Sequence, residues 1–271
     1  MNAENAERFR LGSVAQRWLL PAVVFLGVGA LWEGVSRSGA VPEYLLPSPS
    51  AVLLRAVELR SSLGGDLLTT ALESFLGFLL GSGLGIALGV WFAKSRVAER
   101  SLMPYAIALK AVPIVAVAPL LVIWFGYGLM TKVLVASLIS FFPCVVSTTQ
   151  GLRDVDTRAL DLMYSVAATD WQVFRWLRWP GALEHVFSAL RIAVVFSVIG
   201  AVVAEFAGAN EGLGFRILVA SYRIDTVTMF VYIGLTAVLG MVLFGGVVLL
   251  ERLAVPWSAA LRSGAFLERE E

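Results

Sequence analysis

The chain has 271 residues, 58% of them hydrophobic and only 15% charged, with a mean hydropathy of +0.81 and a formal net charge of +1. Soluble domains carry roughly 25% charged residues, so this composition excludes a soluble enzyme and specifies a polytopic, all-α protein embedded in a lipid bilayer. The near-neutral charge argues against nucleic acid as a partner, and the single cysteine, Cys144, excludes an intrachain disulfide and a zinc cluster.

Residues 1–17 form a polar N-terminal tail bearing Arg8, Arg10 and Arg17. The first apolar run, Trp18 to Val35, approaches the ~20 residues that a spanning helix needs. It exceeds the 7–15 apolar residues of a cleaved signal peptide, so it is read as an anchor. Pro42, Pro47 and Pro49 then prevent regular helix. SPSAVLLRAVELRSS resumes an amphipathic surface helix, with Ser50 as the expected N-cap.

Leu67 to Phe92 is the second span. Gly77, Gly81, Gly85 and Gly89 recur every fourth residue, a ladder of small residues that lets another helix approach closely, and they are assigned to helix packing. Glu73, one turn earlier, lies near the interface or faces a polar cavity. After the basic loop 93–100, the third span runs from Met103 to Tyr127 with Lys110, Pro113 and Pro119 inside it, and two prolines imply a kink. The fourth span is Lys132 to Thr148, the fifth Ile192 to Phe206 and the sixth Val227 to Leu250. The fifth carries a stripe of Ala193, Ser197, Ala201 and Ala204. Residues 207–226 form a polar excursion, and 251–271 close the chain as a polar tail.

The six spans make one membrane domain, residues 18–250, and put both termini on the same side. That side holds fourteen of the Lys and Arg residues against six on the other, with Lys110 uncounted inside a span. The bias places both termini, and the long interval 149–191, in the cytoplasm. Within that interval Leu160, Met163, Tyr164, Val166, Ala167, Trp171, Phe174 and Leu177 recur at helical spacing, interleaved with Arg153, Arg158, Arg175 and Arg178. An arginine-bearing helical loop of this length reads as a docking platform.

No catalytic, cofactor-binding or metal-ligating constellation is present. None of the three lysines follows a glycine, so the phosphate-cradling turn of an ATPase is missing, and the hydrolase, zinc-protease and redox motifs are absent. The only histidine, His185, is read as a polar loop residue. Glu33, Glu73 and Glu205 map near the outer ends of spans, where solvation is cheap, which disfavours an ion-gradient-driven secondary transporter. That transporter and a membrane scaffold without transport role are the alternatives.

Asp161-Leu-Met-Tyr-Ser-Val-Ala167, nine residues, then Leu177-Arg-Trp-Pro180 resembles the EAA loop of permease subunits in binding-protein-dependent ABC importers, E-A-A-x-x-x-G, nine residues, then I-x-L-P. The departures are Asp161 for Glu, Leu162 and Met163 for the two Ala, Ala167 for Gly, Leu177 for Ile and Trp179 for Leu. LPSPSAV (46–52), PIVAVAPLLVIWFGYG (113–128), FFP (141–143), LRIA (190–193) and AEFAGANEGLG (204–214) resemble the nitrate/sulfonate/taurine group of these permeases. GANEGLG with DTVTMF (225–230) is most similar to the members that move pyrimidine or riboflavin-type vitamin precursors.

The resemblance implies a permease of a bacterial inner membrane that has no enzymatic activity itself. It would pair with a second copy of itself, dock two cytoplasmic ATP-binding subunits and receive a small polar solute from a periplasmic or lipid-anchored binding protein. It also implies a coupling helix around Asp161 to Trp171. In that helix Tyr164, Val166 and Trp171 would fill a groove on the ATPase, with Ala167 and Ala168 permitting close approach. Arg175 and Arg178 would pair with acidic groups, and Pro180 would start the following helix. Pro113, Pro119, Ser197, Ala201 and Glu205 are the candidates for lining the pathway.

Overall fold

A computed structural model describes residues 3–256, with side chains from Leu19 onward except that of Leu109. Of the expected C-terminal tail, residues 257–271 lie outside the described residues. The described secondary structure is entirely helical: α1 (Ala3–Arg37), α2 (Pro49–Glu58), α3 (Arg60–Lys94), α4 (Arg96–Ala111), α5 (Ile114–Phe125), α6 (Leu129–Arg153), α7 (Thr157–Ser165), α8 (Asp170–Val173), a π-helical turn (Phe174–Arg178), α9 (Trp179–Gly208), α10 (Leu213–Tyr222) and α11 (Thr226–Ala254). Among the described residues, five helical segments are long and apolar enough to cross a membrane: Leu19–Arg37, Arg60–Lys94, Leu129–Arg153, Asp170–Gly208 and Thr226–Ala254.

The expected third span is not one of these. It is divided into α4 and α5, because Pro113 has no N–H to continue the helix and its ring disfavours helical backbone at Val112. Pro113 instead becomes the N-cap of α5, while Pro119 stays within α5.

Two compact units are present. The first comprises Met1–Ser61 with Val219–Val231. Here the end of α1 holds the proline-rich connection: Trp32 Nε1 donates to the Pro47 carbonyl at 3.0 Å and Ser36 Oγ to that of Leu46 at 2.7 Å. Ser48, rather than Ser50, caps α2, with Pro49 in the first turn. Ser50 is recruited elsewhere, giving its amide and hydroxyl to Glu33 at 3.0 and 2.7 Å.

The second unit comprises Ser62–Leu218 and the chain from Tyr232 onward. Its centre is α6, which packs against α3 on one side and α9 on another. The glycine ladder of α3 is the reason for the first contact. A Cβ on Gly85 would lie 2.8 Å from Cys144 Cβ, and one on Gly89 would lie 2.7 Å from Thr148 Cβ. Gly81 backs directly onto the Ser137 backbone. On the other side Gly200 of α9 sits against the Ala136 backbone, and Ser140 Oγ donates to the Ala193 carbonyl at 3.0 Å. Small residues on both faces let three helices approach at backbone distance, where dispersion and interhelical hydrogen bonds hold them without any hydrophobic drive from water.

Candidate functional site

The loop expected to serve as a docking platform is shorter than the interval 149–191. Helix α6 continues to Arg153, and the helical run from Asp170 continues unbroken to Gly208. Only residues 154–169 therefore depart from two long helices, and α7 lies among them. Asp156 caps α7, its carboxylate accepting from the Arg158 amide at 2.9 Å. Thr169 and Gln172 form a reciprocal capping box at the start of α8.

The expected single coupling helix from Asp161 to Trp171 is interrupted at Val166–Thr169. Ala167 adopts φ +54°, the left-handed conformation that a Cβ disfavours, and it is the position where the resembled pattern has Gly. Pro180 sits in the first turn of α9, as expected of a residue that opens the following helix. It lies within the run from Asp170 to Gly208, directly after the π-helical turn, whose wider winding takes up the disruption that a proline ring and a missing N–H impose.

What the platform presents is apolar surface without a cover in this chain. Leu162, Tyr164, Val166, Trp171 and Trp176 are 53–71% exposed. Asp161, Ala167 and Arg175 are exposed as well, while Ala168, Arg178 and Pro180 are half-buried. Trp171 stacks on Phe174 at 5.7 Å, and Lys94 lies 4.9 Å over the Phe174 ring. A cleft of about 520 Å³ opens here, lined by Lys94, Tyr164, Asp170, Trp171, Phe174 and Arg178 among others. His185, expected in a loop, lies on α9 with its ring 3.6 Å from Asp154.

A second group of polar residues is buried in the second unit, and the sequence reading missed it. Glu73 is 1% and Glu205 0% exposed, so neither sits in cheap solvation at a span end. Lys132, expected at the entrance of the fourth span, is buried as well and reaches Glu73 at 2.5 Å. Glu205 accepts from Thr70 Oγ1 at 2.7 Å and from the amides of Gly214 and Phe215 at the start of α10. Thr70 Oγ1 in turn accepts from the Leu213 amide at 2.8 Å, and Asp66 accepts from the Gly212 amide and from Arg216 at 2.9 Å. Three side chains of α3 and α9 thus satisfy the free N–H groups at the α10 N-terminus, where negative charge is favoured.

Gly212 (φ +107°) and Gly214 are required there, since a Cβ on Gly214 would come within 2.8 Å of the Glu205 carboxylate. The signal was present in the sequence as ANEGLG following a glutamate. It was not legible, because the partners Asp66 and Thr70 on α3 are remote in the chain.

The five candidate pathway residues do not share a surface. Pro113 and Pro119 are exposed. Ser197 and Ala201 are fully buried on the α9 face that packs on α6, and Glu205 is occupied by Thr70 and α10. Gly77, Gly81, Gly85 and Gly89 all lie at the contact with α6.

Residues 81–255 match the family described as binding-protein-dependent transport system inner membrane component. The formylaminopyrimidine transport permease ThiX of Halalkalibacterium halodurans is 36% identical over 240 residues, covering 88% of this chain and 96% of that one. The riboflavin transport permease RibX of Chloroflexus aurantiacus is 37% identical, with 89% and 90% covered. The putative aliphatic sulfonates permease SsuC of Bacillus subtilis is 34% identical, with 94% and 93% covered.

Among solved structures, a chain of the MetNI methionine ABC transporter in an inward-facing conformation superposes with a TM-score of 0.56 at 18% identity, over 74% of this chain and 95% of that one. A chain of an amino acid ABC transporter gives 0.59 at 17% identity, over 74% and 96%. These two share the fold. The gradient-driven and scaffold alternatives are set aside by the relatives at full length. The chain belongs to the binding-protein-dependent transport system inner membrane component family: it is a multi-pass membrane permease subunit of an ABC importer, with ATP hydrolysis on a partner chain.

Proposed function

We propose that this permease crosses a bacterial inner membrane six times, with both termini and the 154–178 platform in the cytoplasm. The third crossing is the broken pair α4 and α5. Twelve residues of α5 rise only about 18 Å, short of the roughly 30 Å hydrocarbon core, so the upper part of α4 completes the passage. Two copies pair, each docking one of two ATPase subunits. A periplasmic or lipid-anchored binding protein supplies the solute from the opposite side. The solute is a small polar molecule of the sulfonate or the pyrimidine and riboflavin precursor type, a reading supported by the names of the relatives.

The observation that carries the docking assignment is the exposed apolar face of α7 and α8 on a doubly capped segment. Aromatic anchors on a rigid support are what a partner groove grips. Tyr164, Val166 and Trp171 fill that groove, Asp161, Arg175 and Arg178 flank it, and Ala167 and Ala168 allow the close approach. Transport follows because the ATPases, closing on ATP, displace this segment, and α9 carries the displacement into the membrane.

Ala168→Glu tests it by placing a charge at the half-buried centre of the face. The variant is expected to insert normally, to lose co-purification of the ATPase subunits and to lose ATP-dependent uptake in reconstituted vesicles. If co-purification and uptake both survive, the docking surface lies elsewhere.

A further inference from the structure

Lys110 lies at the C-terminal end of α4, beside the break imposed by Pro113. Its ammonium is exposed, and it sits 4.7 Å from the centre of the Phe142 ring on α6. Among the described residues it makes no ion pair, whereas Lys132 is paired with Glu73, Arg216 with Asp66 and Arg191 with Glu251.

The depth of this pair follows from two contacts. Glu99 at the start of α4 pairs with Arg153 at the end of α6, which fixes one end of the two antiparallel helices. Lys110 is eleven residues up from Glu99, and Phe142 is eleven residues back from Arg153. At 1.5 Å per residue both lie about 16 Å from that ion pair, half of a ~30 Å hydrocarbon core. An unpaired ammonium at mid-depth is costly against lipid and is retained where it faces a wet cavity with a function. In secondary transporters, discontinuous helices at this depth hold the cargo.

We propose that Lys110 and Phe142 form a solute subsite at the middle of the membrane. The ammonium takes an anionic or carbonyl oxygen of the solute, and the ring takes its flat or apolar part. Lys110 remains bound to the ring face when the subsite is empty, since a cation over an aromatic face is attracted at this distance without neutralisation. The inference deepens the importer reading and rests on it for the identity of the cargo.

The test uses the full chain in membrane vesicles, with Cys144→Ala leaving Phe142→Cys as the only thiol. The probes are the anionic sulfonatoethyl and the cationic trimethylammonioethyl methanethiosulfonates, each scaled to its rate with a free thiol. The anionic probe is expected to react at least ~5-fold faster, by attraction to an ammonium a few ångströms away. Adding Lys110→Gln abolishes that preference, and Lys110→Arg restores it. A thiol at 142 that neither probe reaches, or a preference indifferent to Lys110→Gln, overturns the subsite. The labelling needs no ATPase, so its outcome stands apart from the co-purification that tests the importer reading.

Discussion

Lys132→Met breaks the most deeply buried of the described ion pairs in the second unit. It removes the only described cation within reach of Glu73, whose carboxylate is 1% exposed and 2.5 Å from the lysine, and whose Oε2 has no hydrogen-bond donor. Glu205, also fully buried, is an electrostatic neighbour of Glu73. Breaking a buried pair by removing one partner costs about 3–5 kcal/mol, because the remaining charge is left uncompensated.

For domains of 150–250 residues each kcal/mol shifts the melting temperature by about 2–4 °C, so Lys132→Met is expected to lower it by roughly 6–20 °C. The double variant Glu73→Met with Lys132→Met removes both charges and is expected to recover at least half of the loss, since apolar replacement of a whole pair is close to neutral. Thermal denaturation of the purified permease in mild detergent reads both. A Lys132→Met protein within about 2 °C of the parent, or a double variant no more stable than the single, would refute the reasoning.

Gly81→Ala and Gly83→Ala form a matched pair on α3. Both gain helix propensity, but the Gly83 Cβ meets nothing within 4 Å while the Gly81 Cβ lies 2.9 Å from the Ser137 carbonyl carbon. The difference between their melting temperatures therefore reports overpacking alone, about 1–3 kcal/mol against Gly81→Ala. Equal stabilities would mean that α3 and α6 are not in backbone contact there. At Ala167, Gly relieves the left-handed strain and is expected to preserve uptake. Val, β-branched and unable to adopt φ +54° without a larger penalty, is expected to lower the yield of ATPase-bound complex several-fold. Similar co-purification for the two variants would contradict the turn.

Helix positions and packing faces were legible where local rules act alone. The four-residue glycine period of α3 announced a helix contact, and the helical spacing of apolar residues announced helix in the platform, though as one coupling helix rather than as α7 and α8. Features set by a remote partner were not. Ser50 is a sound N-cap by type, yet Glu33 on α1 claims it and Ser48 takes the cap. Lys132 beside a turn reads as a span boundary until Glu73 of α3 lies opposite it. Two prolines predicted a bent third span, but nothing in their spacing states that Pro113 ends one helix and opens another while Pro119 is absorbed. The platform was legible as a surface, through its period and arginines, and its internal turn at Ala167 was not, because alanine gives no hint of left-handed backbone.

The unbroken winding from Asp170 to Gly208 makes one rod of 39 residues, about 58 Å long. Trp171 stands near one tip and Glu205 near the other, with Glu205 clasping the first amides of α10. A swing of about 5° about one tip carries the other through about 5 Å over that length, more than any hydrogen bond survives. A partner's push on the docking face proposed above would thereby release the short helix at the opposite end, with no relay of intermediate side chains required.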